Sequence, residues 1–113
     1  MTDGSVSVVV PTHDRPLLLR RALASLLAQT RPPAEIHVVE NGSRSGAQEV
    51  VAGFDGAGGG RRYHFLPQAD LHLARNHGLR HCRGEFVAFL DDDDEWLPEK
   101  LEVQLKLSSH FQL

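Results

Sequence analysis

The stretch Phe86-Val-Ala-Phe-Leu-Asp-Asp-Asp-Asp-Glu95 constrains the fold of this chain more than any other. Five apolar residues run directly into four aspartates, Asp91 to Asp94. So short an apolar run, preceded by Gly84, predicts a strand buried on both faces, as in a parallel sheet. Adjacent carboxylates repel one another strongly unless something cationic sits among them. In open α/β sheets the C-terminal ends of the strands are where ligands bind. The run therefore reads as a strand delivering an Asp-x-Asp pair, Asp91 and Asp93, to a divalent cation, and through it to a phosphorylated ligand. The plainer alternative is a solvated acidic turn before a helix opened by Pro98, with one aspartate as its cap.

The rest of the chain supplies the sheet that such a strand needs. Val6 to Val10 is a β-branched run stopped by Pro11 and predicts a first buried strand. Asp14 is placed to cap the helix that follows, with Pro16 in its first turn. Leu19, Ala22, Leu23, Leu26 and Leu27 recur at helical spacing, with Arg20, Arg21 and Gln29 largely on the other side. Ile36 to Val39 predicts a second strand ending in Glu40-Asn41-Gly42-Ser43. Ser45 and Gln48 have capping-box spacing, and Ala47, Val50, Val51 and Phe54 mark the inner face of a second helix. Gly53 to Gly60 holds five glycines and reads as a surface connection. Tyr63 to Leu66 is a third strand, Leu71 to Cys82 a third helix, and Leu97, Leu101 and Leu105 line a fourth helix with Trp96 at its entrance. Four alternations of strand and helix predict an α/β fold, Rossmann-like, with a mainly parallel sheet and helices on both faces. All 113 residues are read as one domain.

Charge and composition narrow the function. A formal net charge of −3 carries no basic footprint, so no nucleic acid partner is expected. The single cysteine, Cys82, excludes an internal disulfide and suits a reducing compartment. No apolar run approaches the ~20 residues of a membrane span, and the N-terminus has no basic region of a secretory signal, so a cytoplasmic location is expected. The first strand is followed by Pro11-Thr-His-Asp-Arg-Pro, without glycine, which excludes a dinucleotide-binding fingerprint. An EF-hand loop would need glycine where Trp96 stands. His77 and His81 lie one helical turn apart, a zinc-like spacing, but with no third ligand evident they read as a solvated helix face.

Three loops leave the C-terminal edge of the expected sheet: Pro11 to Asp14, Glu40 to Ser43, and Asp91 to Glu95. Together they suit a nucleoside diphosphate. A carboxylate or amide after the second strand can bind a base or ribose. Asp91 and Asp93 can hold a hard cation, Mn²⁺ or Mg²⁺, that neutralises the phosphates. Arg75 can offer a guanidinium fork to the same anion, pair with the aspartates, or be a plain surface arginine.

Five segments in this order resemble a known family. They are Val-Ser-Val-Val-Val-Pro-Thr-His-Asp-Arg-Pro, Leu-Leu-Ala-Gln-Thr, Val-Val-Glu-Asn-Gly-Ser, Ala-Arg-Asn-His-Gly-Leu and Gly-Glu-Phe-Val-Ala-Phe-Leu-Asp-Asp-Asp-Asp. Spread from Val6 to about Leu105, they are similar to the donor-binding half of a family 2 glycosyltransferase with the GT-A fold. The resemblance implies that Pro11, Thr12 and Asp14 touch the nucleotide and that Glu40 and Asn41 contact base and ribose. The family commonly has Asp-Asp there, and the glycines that usually precede Ala-Arg-Asn are replaced by Ala69-Asp70-Leu71-His72. It further implies Arg75 near the diphosphate, Asp93 with Asp91 as metal ligands, and Asp92 or Asp91 near the ribose.

The implied reaction moves a sugar from a nucleotide donor, of UDP type, to a hydroxyl of a saccharide or lipid-linked acceptor, mostly with inversion. The family's general base lies in the second half of its fold, and no residue here matches it. The resemblance also implies a sheet incomplete at its C-terminus. An uncovered flank on the fourth strand would then favour self-association or a second polypeptide, with weak donor binding and negligible transfer.

Overall fold

The computed structural model describes residues 4–54 and 60–110. Eight elements alternate: β1 (Val6–Thr12), α1 (Pro16–Leu27), β2 (Glu35–Asn41), α2 (Ala47–Ala52), β3 (Gly60–Leu66), α3 (Leu71–His81), β4 (Phe86–Phe89) and α4 (Lys100–His110). The four strands form one parallel sheet in the order β3-β2-β1-β4, as the alternation predicted. Asp55 to Gly59 of the glycine-rich connection lie outside the described residues, and Gly60 is the first residue of β3.

β1 is central, and all seven of its residues are buried. Its side chains alternate between two layers, because strand residues point in turn to opposite faces. Val6, Val8 and Val10 join Ile36 and Val38 against Leu19, Leu23 and Leu26 of α1, Val50 and Val51 of α2, and Leu101 of α4. Each fully buried leucine there contributes roughly 1.5–3 kcal/mol relative to exposure. Val9 joins Val39 on the opposite face, against Ala74 of α3. That second layer is thin because α3 lies very close to the sheet. A Cβ on Gly78 would stand 2.5 Å from Val9 Cγ1 and 3.3 Å from Val39 Cγ2.

Several local expectations are corrected. β4 is not buried on both faces. Phe86 and Ala88 pack towards the α4 side, whereas Val87 and Phe89 are exposed. The reason is topological: α3 crosses over β1 and β2, so it does not roof the strand on the far side of β1. Asp14 does not cap α1; it takes a left-handed conformation (φ 57°), and Arg15 occupies the cap position without a side-chain hydrogen bond. Ser45 does not cap α2 either, since Gly46 (φ 107°) holds that position and Ser45 bonds Glu40 instead. Asp70 does cap its helix, its Oδ1 accepting from the His72 and Leu73 N–H groups at 2.8 and 3.1 Å.

α4 begins at Lys100 rather than at Pro98, and Leu97 is exposed. Gln29, expected on the outer side of α1, is buried. Its amide donates to the Leu97 carbonyl at 2.8 Å and accepts from the Leu101 N–H at 3.0 Å, tying α1 to the start of α4.

A polar seam runs between β2, β3 and α3. His37 Nδ1 lies 3.0 Å from His64 Nε2, and His64 Nδ1 lies 3.2 Å from His77 Nε2. The His81 ring sits 4.6 Å from that of His64 and 4.7 Å from that of His77. His77 and His81 therefore do not form a merely solvated helix face; they meet an imidazole on β3. Burial, followed by repulsion from His77, His37, His81 and Arg62, lowers the His64 pKa from 6.5 to about 4. Glu35 lies beside the seam, 3.0 Å from His37 Nε2. Desolvation pushes its carboxyl up, but hydrogen bonds from Ser7 and the Arg83 N–H, together with the neighbouring His37 ring, outweigh that and bring its pKa from 4.5 to about 2.

Two predictions follow from this packing. In an ordinary helix interior Gly→Ala gains up to about 1 kcal/mol, but at position 78 the methyl meets a central strand that cannot recede. Gly78→Ala should lower unfolding free energy by ~1–3 kcal/mol in urea titrations, the usual cost of overpacking. Both His64 and Glu35 have folded pKa values below their unfolded ones, so the native state binds fewer protons. Their stabilisation is present above the unfolded pKa and is lost on acidification, from pH 6.5 towards 4 for His64 and from 4.5 towards 2 for Glu35. Melting temperature should fall across the first window, and His64→Gln should flatten that fall while leaving the second intact.

Candidate functional site

The chain runs outward from β1 to β2 and β3, then returns to place β4 on the other side of β1. The strand order reverses between β1 and β4, and the crevice outside the C-terminal ends of strands at such a reversal is where open α/β sheets bind ligands. A cleft of about 300 Å³ lies there, lined by Pro11, Thr12, His13, Arg15, Asn41, Leu71, Asp91, Asp92 and Asp93.

Its floor is held by short polar contacts between the strand ends. Thr12 Oγ1 donates to Asp92 Oδ2 at 2.8 Å, a buried bond that joins β1 to the acidic turn. Arg15 Nη1 lies 3.3 Å from Asp92 Oδ1 and 3.5 Å from Asp93 Oδ2. Arg75 Nη2 donates to Asp91 Oδ1 at 3.1 Å, and its Nε is shielded from solvent with no hydrogen-bond partner. The two guanidiniums offset part of the mutual repulsion of the aspartates. Asn41 Nδ2 donates to the Thr12 carbonyl at 3.0 Å, and the His13 ring bonds the Asn41 carbonyl through Nδ1 at 2.6 Å. Gly42 follows with φ 89°, where a Cβ would meet His13 Cε1 at 2.6 Å.

Within the acidic run the four side chains do different things. Asp92 is buried and bonded to Thr12 and Arg15. Asp91, Asp93 and Asp94 each bring a carboxylate oxygen within 4.8 Å of the others. An all-oxygen donor set of this kind suits a hard divalent cation such as Mg²⁺ or Mn²⁺ rather than a thiophilic one.

Of the residues singled out from the sequence, Pro11, Thr12, Asn41, Asp91, Asp92 and Asp93 converge on the cleft. Arg75 reaches it through Asp91. Asp14 is exposed on the adjoining turn. Glu40 is buried beneath, its Oε2 accepting from the Ser45 N–H and hydroxyl and its Oε1 from the Tyr63 hydroxyl at 2.5 Å. Burial, followed by that bond to Glu40, raises the Tyr63 pKa to about 12. Sequence reasoning missed Arg15, His13, Leu71 and the participation of Asp94. Arg15 left a signal, being the cation of the loop facing four aspartates. Leu71 left none, since only the path of α3 brings it over the cleft.

Comparison with known proteins decides the family. A sequence model described as glycosyl transferase family 2 matches residues 7–110. The chain belongs to this family. Among curated proteins it is 30% identical over 110 residues to an Escherichia coli protein, the UDP-Glc:alpha-D-GlcNAc-diphosphoundecaprenol beta-1,3-glucosyltransferase WfgD, covering 95% of this chain and 42% of that one. Among solved structures it superposes on Staphylococcus aureus TarS 1-349 in complex with UDP-GlcNAc, with a TM-score of 0.85, 26% identity and coverage of 94% of this chain and 31% of that one.

The Pyrobaculum calidifontis mannosyltransferase PcManGT, solved with GDP-Man and Mn²⁺, matches with a TM-score of 0.72 and 26% identity, over 85% of this chain and 30% of that one. The fold is thus that of the GT-A glycosyltransferases. The chain spans less than half the length of the curated relatives it matches. Among the described residues, no helix is long and apolar enough to cross a membrane.

Replacing the buried hydroxyl tests the floor of the cleft. Thr12→Val keeps the shape but leaves Asp92 without its 2.8 Å donor. A buried acceptor so orphaned costs about 1–3 kcal/mol, and calorimetric unfolding should show a loss in that range.

Proposed function

We propose that this chain binds a nucleoside diphosphate sugar, of UDP type, together with Mn²⁺ or Mg²⁺, and serves in transfer of the sugar to an acceptor hydroxyl with inversion. The observation that carries this reading is the carboxylate trio Asp91, Asp93 and Asp94 at the reversal of strand order, flanked by Arg15 and Arg75. Structural neighbours solved with UDP-GlcNAc, or with GDP-Man and Mn²⁺, support it.

Asp93 and Asp91, with Asp94, would hold the cation. When bound, the cation stabilises negative charge developing on the leaving diphosphate. The chain's own residues bind and orient the donor. Arg75 offers its otherwise unpartnered Nε–H to a phosphate oxygen. Pro11 and Thr12 form the wall against which the nucleoside lies, with Asp14 on the turn beyond.

Asn41, whose Nδ2 is committed to the Thr12 carbonyl, presents its amide oxygen to a base N–H such as that of uracil. Glu40 supports it from below by fixing Ser45 and Tyr63. Asp92 or Asp91 meets the ribose. The acceptor is a saccharide or a lipid-linked saccharide, and the general base that takes its proton is assigned to no residue of this chain. The reaction is placed in the cytoplasm, in keeping with the free Cys82. The half-exposed edge at β4, where Val87 and Phe89 face outward, is the surface on which self-association would occur.

Calorimetric titration with UDP is the test. Binding should require Mn²⁺ or Mg²⁺, because the bare carboxylates repel phosphate. Asp93→Ala should remove the metal-dependent part and Asp91→Ala should weaken it; equal affinity in EDTA and in Mn²⁺ would refute the reading. Comparing UDP with GDP tests the assignment to Asn41. Release of UDP from a UDP-sugar, assayed in parallel, separates an enzyme from a module that binds without turnover.

Arg75→Lys keeps the charge and loses the planar fork, so UDP affinity should fall by about 1–3 kcal/mol. An unchanged dissociation constant would return Arg75 to a structural partner of Asp91.

A further inference from the structure

The sheet face opposite α1 and α2 carries a second cluster of side chains of a kind that can ligate a metal, separate from the aspartates. His64 lies on β3, in register with Val39, and β2 and β1 both stand between β3 and the strand that leads to the aspartates. We propose that His64, His77 and His81 form a binding site for a Zn²⁺ ion that clips α3 to β3. Each offers a ring nitrogen, and these atoms lie within 4.8 Å of one another.

The spacing matches the ion. Two nitrogens bound tetrahedrally at ~2.0–2.1 Å from zinc stand about 3.4 Å apart. His64 Nδ1 and His77 Nε2 are already 3.2 Å apart. His77 and His81, at i and i+4, project from one face of α3, the helical spacing of many zinc ligands. Imidazole is a borderline donor and suits Zn²⁺ better than the hard cation expected at the aspartates.

The surrounding hydrogen bonds select the tautomers that such a site needs at His64 and His81. His77 Nε2 instead donates to His64 Nδ1 in the metal-free chain and must shift its proton to Nδ1 when the ion binds. His81 Nδ1 lies 2.8 Å from the His77 carbonyl, which can only accept, so Nδ1 carries the proton and Nε2 keeps its lone pair. His37 Nε2 stands 3.0 Å from Glu35 Oε1 without hydrogen-bond geometry, and the charge of that carboxylate favours a proton on the nitrogen. His37 Nδ1 is then free to accept from His64 Nε2–H at 3.0 Å, and this leaves the His64 Nδ1 lone pair pointing at His77. A partner on the second ring nitrogen of a ligating histidine orients the ring and raises its basicity, and His37 is that partner for His64. His64 and His77 are partly buried and His81 is exposed, so three ligands hold the ion and a fourth position opens to solvent. Arg62 and Arg80 are the cationic neighbours, and they act against the added charge without occupying a ligand position.

The test uses the purified chain, stripped with chelator, at neutral pH and without nucleotide. Calorimetric titration with ZnCl₂ should show one tight equivalent in the wild-type chain and in Asp93→Ala alike. His77→Gln and His81→Gln should each weaken it at least about tenfold. Substituted Co²⁺ should give the intense visible absorption of a tetrahedral site, lost in both histidine variants. His81 is exposed, so His81→Gln melts like wild type in EDTA and any loss of binding in it reports the ligand rather than the fold.

Zinc affinity equal in wild type and the histidine variants would overturn the proposal. So would binding that disappears with Asp93→Ala, which would place the ion on the aspartates. The nucleotide titration above depends on neither histidine, so the two readings fail independently.

Discussion

A parallel sheet cannot leave its faces in water, and β1 carries that requirement for the whole molecule. Every residue of the strand is buried, so it must be central, flanked by two strands and roofed by helices above and below. Putting β2 and β3 on one side and β4 on the other is what creates the crevice at the C-terminal ends of β1 and β4. The last residues of β1, Pro11 and Thr12, then stand beside the aspartates, and a buried hydroxyl–carboxylate bond fixes their relative position. Core and site are thus two ends of one strand.

Charge determines how the acidic turn is used. Four adjacent aspartates in a folded protein need cations or hydrogen-bond donors close by. Arg15 and Arg75 supply positive charge from α1 and α3, on opposite sides of the sheet, and Thr12 supplies a donor from below. One carboxylate, Asp92, is buried and bonded to Thr12 and Arg15, and three remain grouped at the mouth. That division gives a physical basis for an Asp-x-Asp pattern. The run forms a turn in which the Asp94 N–H donates to the Asp91 carbonyl at 3.0 Å. Successive side chains of a turn point in different directions, so only some can face a shared ion.

The same logic separates the two clusters by hardness. Carboxylate oxygens at the C-terminal edge are the donors proposed for a hard cation and a diphosphate. Imidazoles on the α3 side, beside Glu35, are those proposed for a borderline one. The aspartates sit on the turn that follows β4 and the imidazoles on β3 and α3, so both clusters are anchored to elements packed on the core.

Much of this was legible in the sequence. Runs such as Val6 to Val10 and the leucine spacing of α1 define elements locally, because burial periodicity is written in the order of residues. The ordered motifs around Pro11, Asn41, Arg75 and Asp91 were enough to resemble the family and to gather most of the cleft. Other features depended on which elements meet. β4 looked fully buried because its composition is apolar, yet its exposure depends on where α3 crosses. Asp14 and Ser45 looked like caps, but one turned left-handed and the other was captured by Glu40. His64 is remote from His77 and His81 in sequence, and only the parallel pairing of β2 with β3 and the packing of α3 bring them together. The sequence by itself determined the alternating elements, the family and the acidic mouth, since these depend on local pattern and residue chemistry. The tertiary structure alone decided which aspartate is buried, which arginines face the others and where four histidines converge, because those outcomes follow from contacts between residues far apart in the chain.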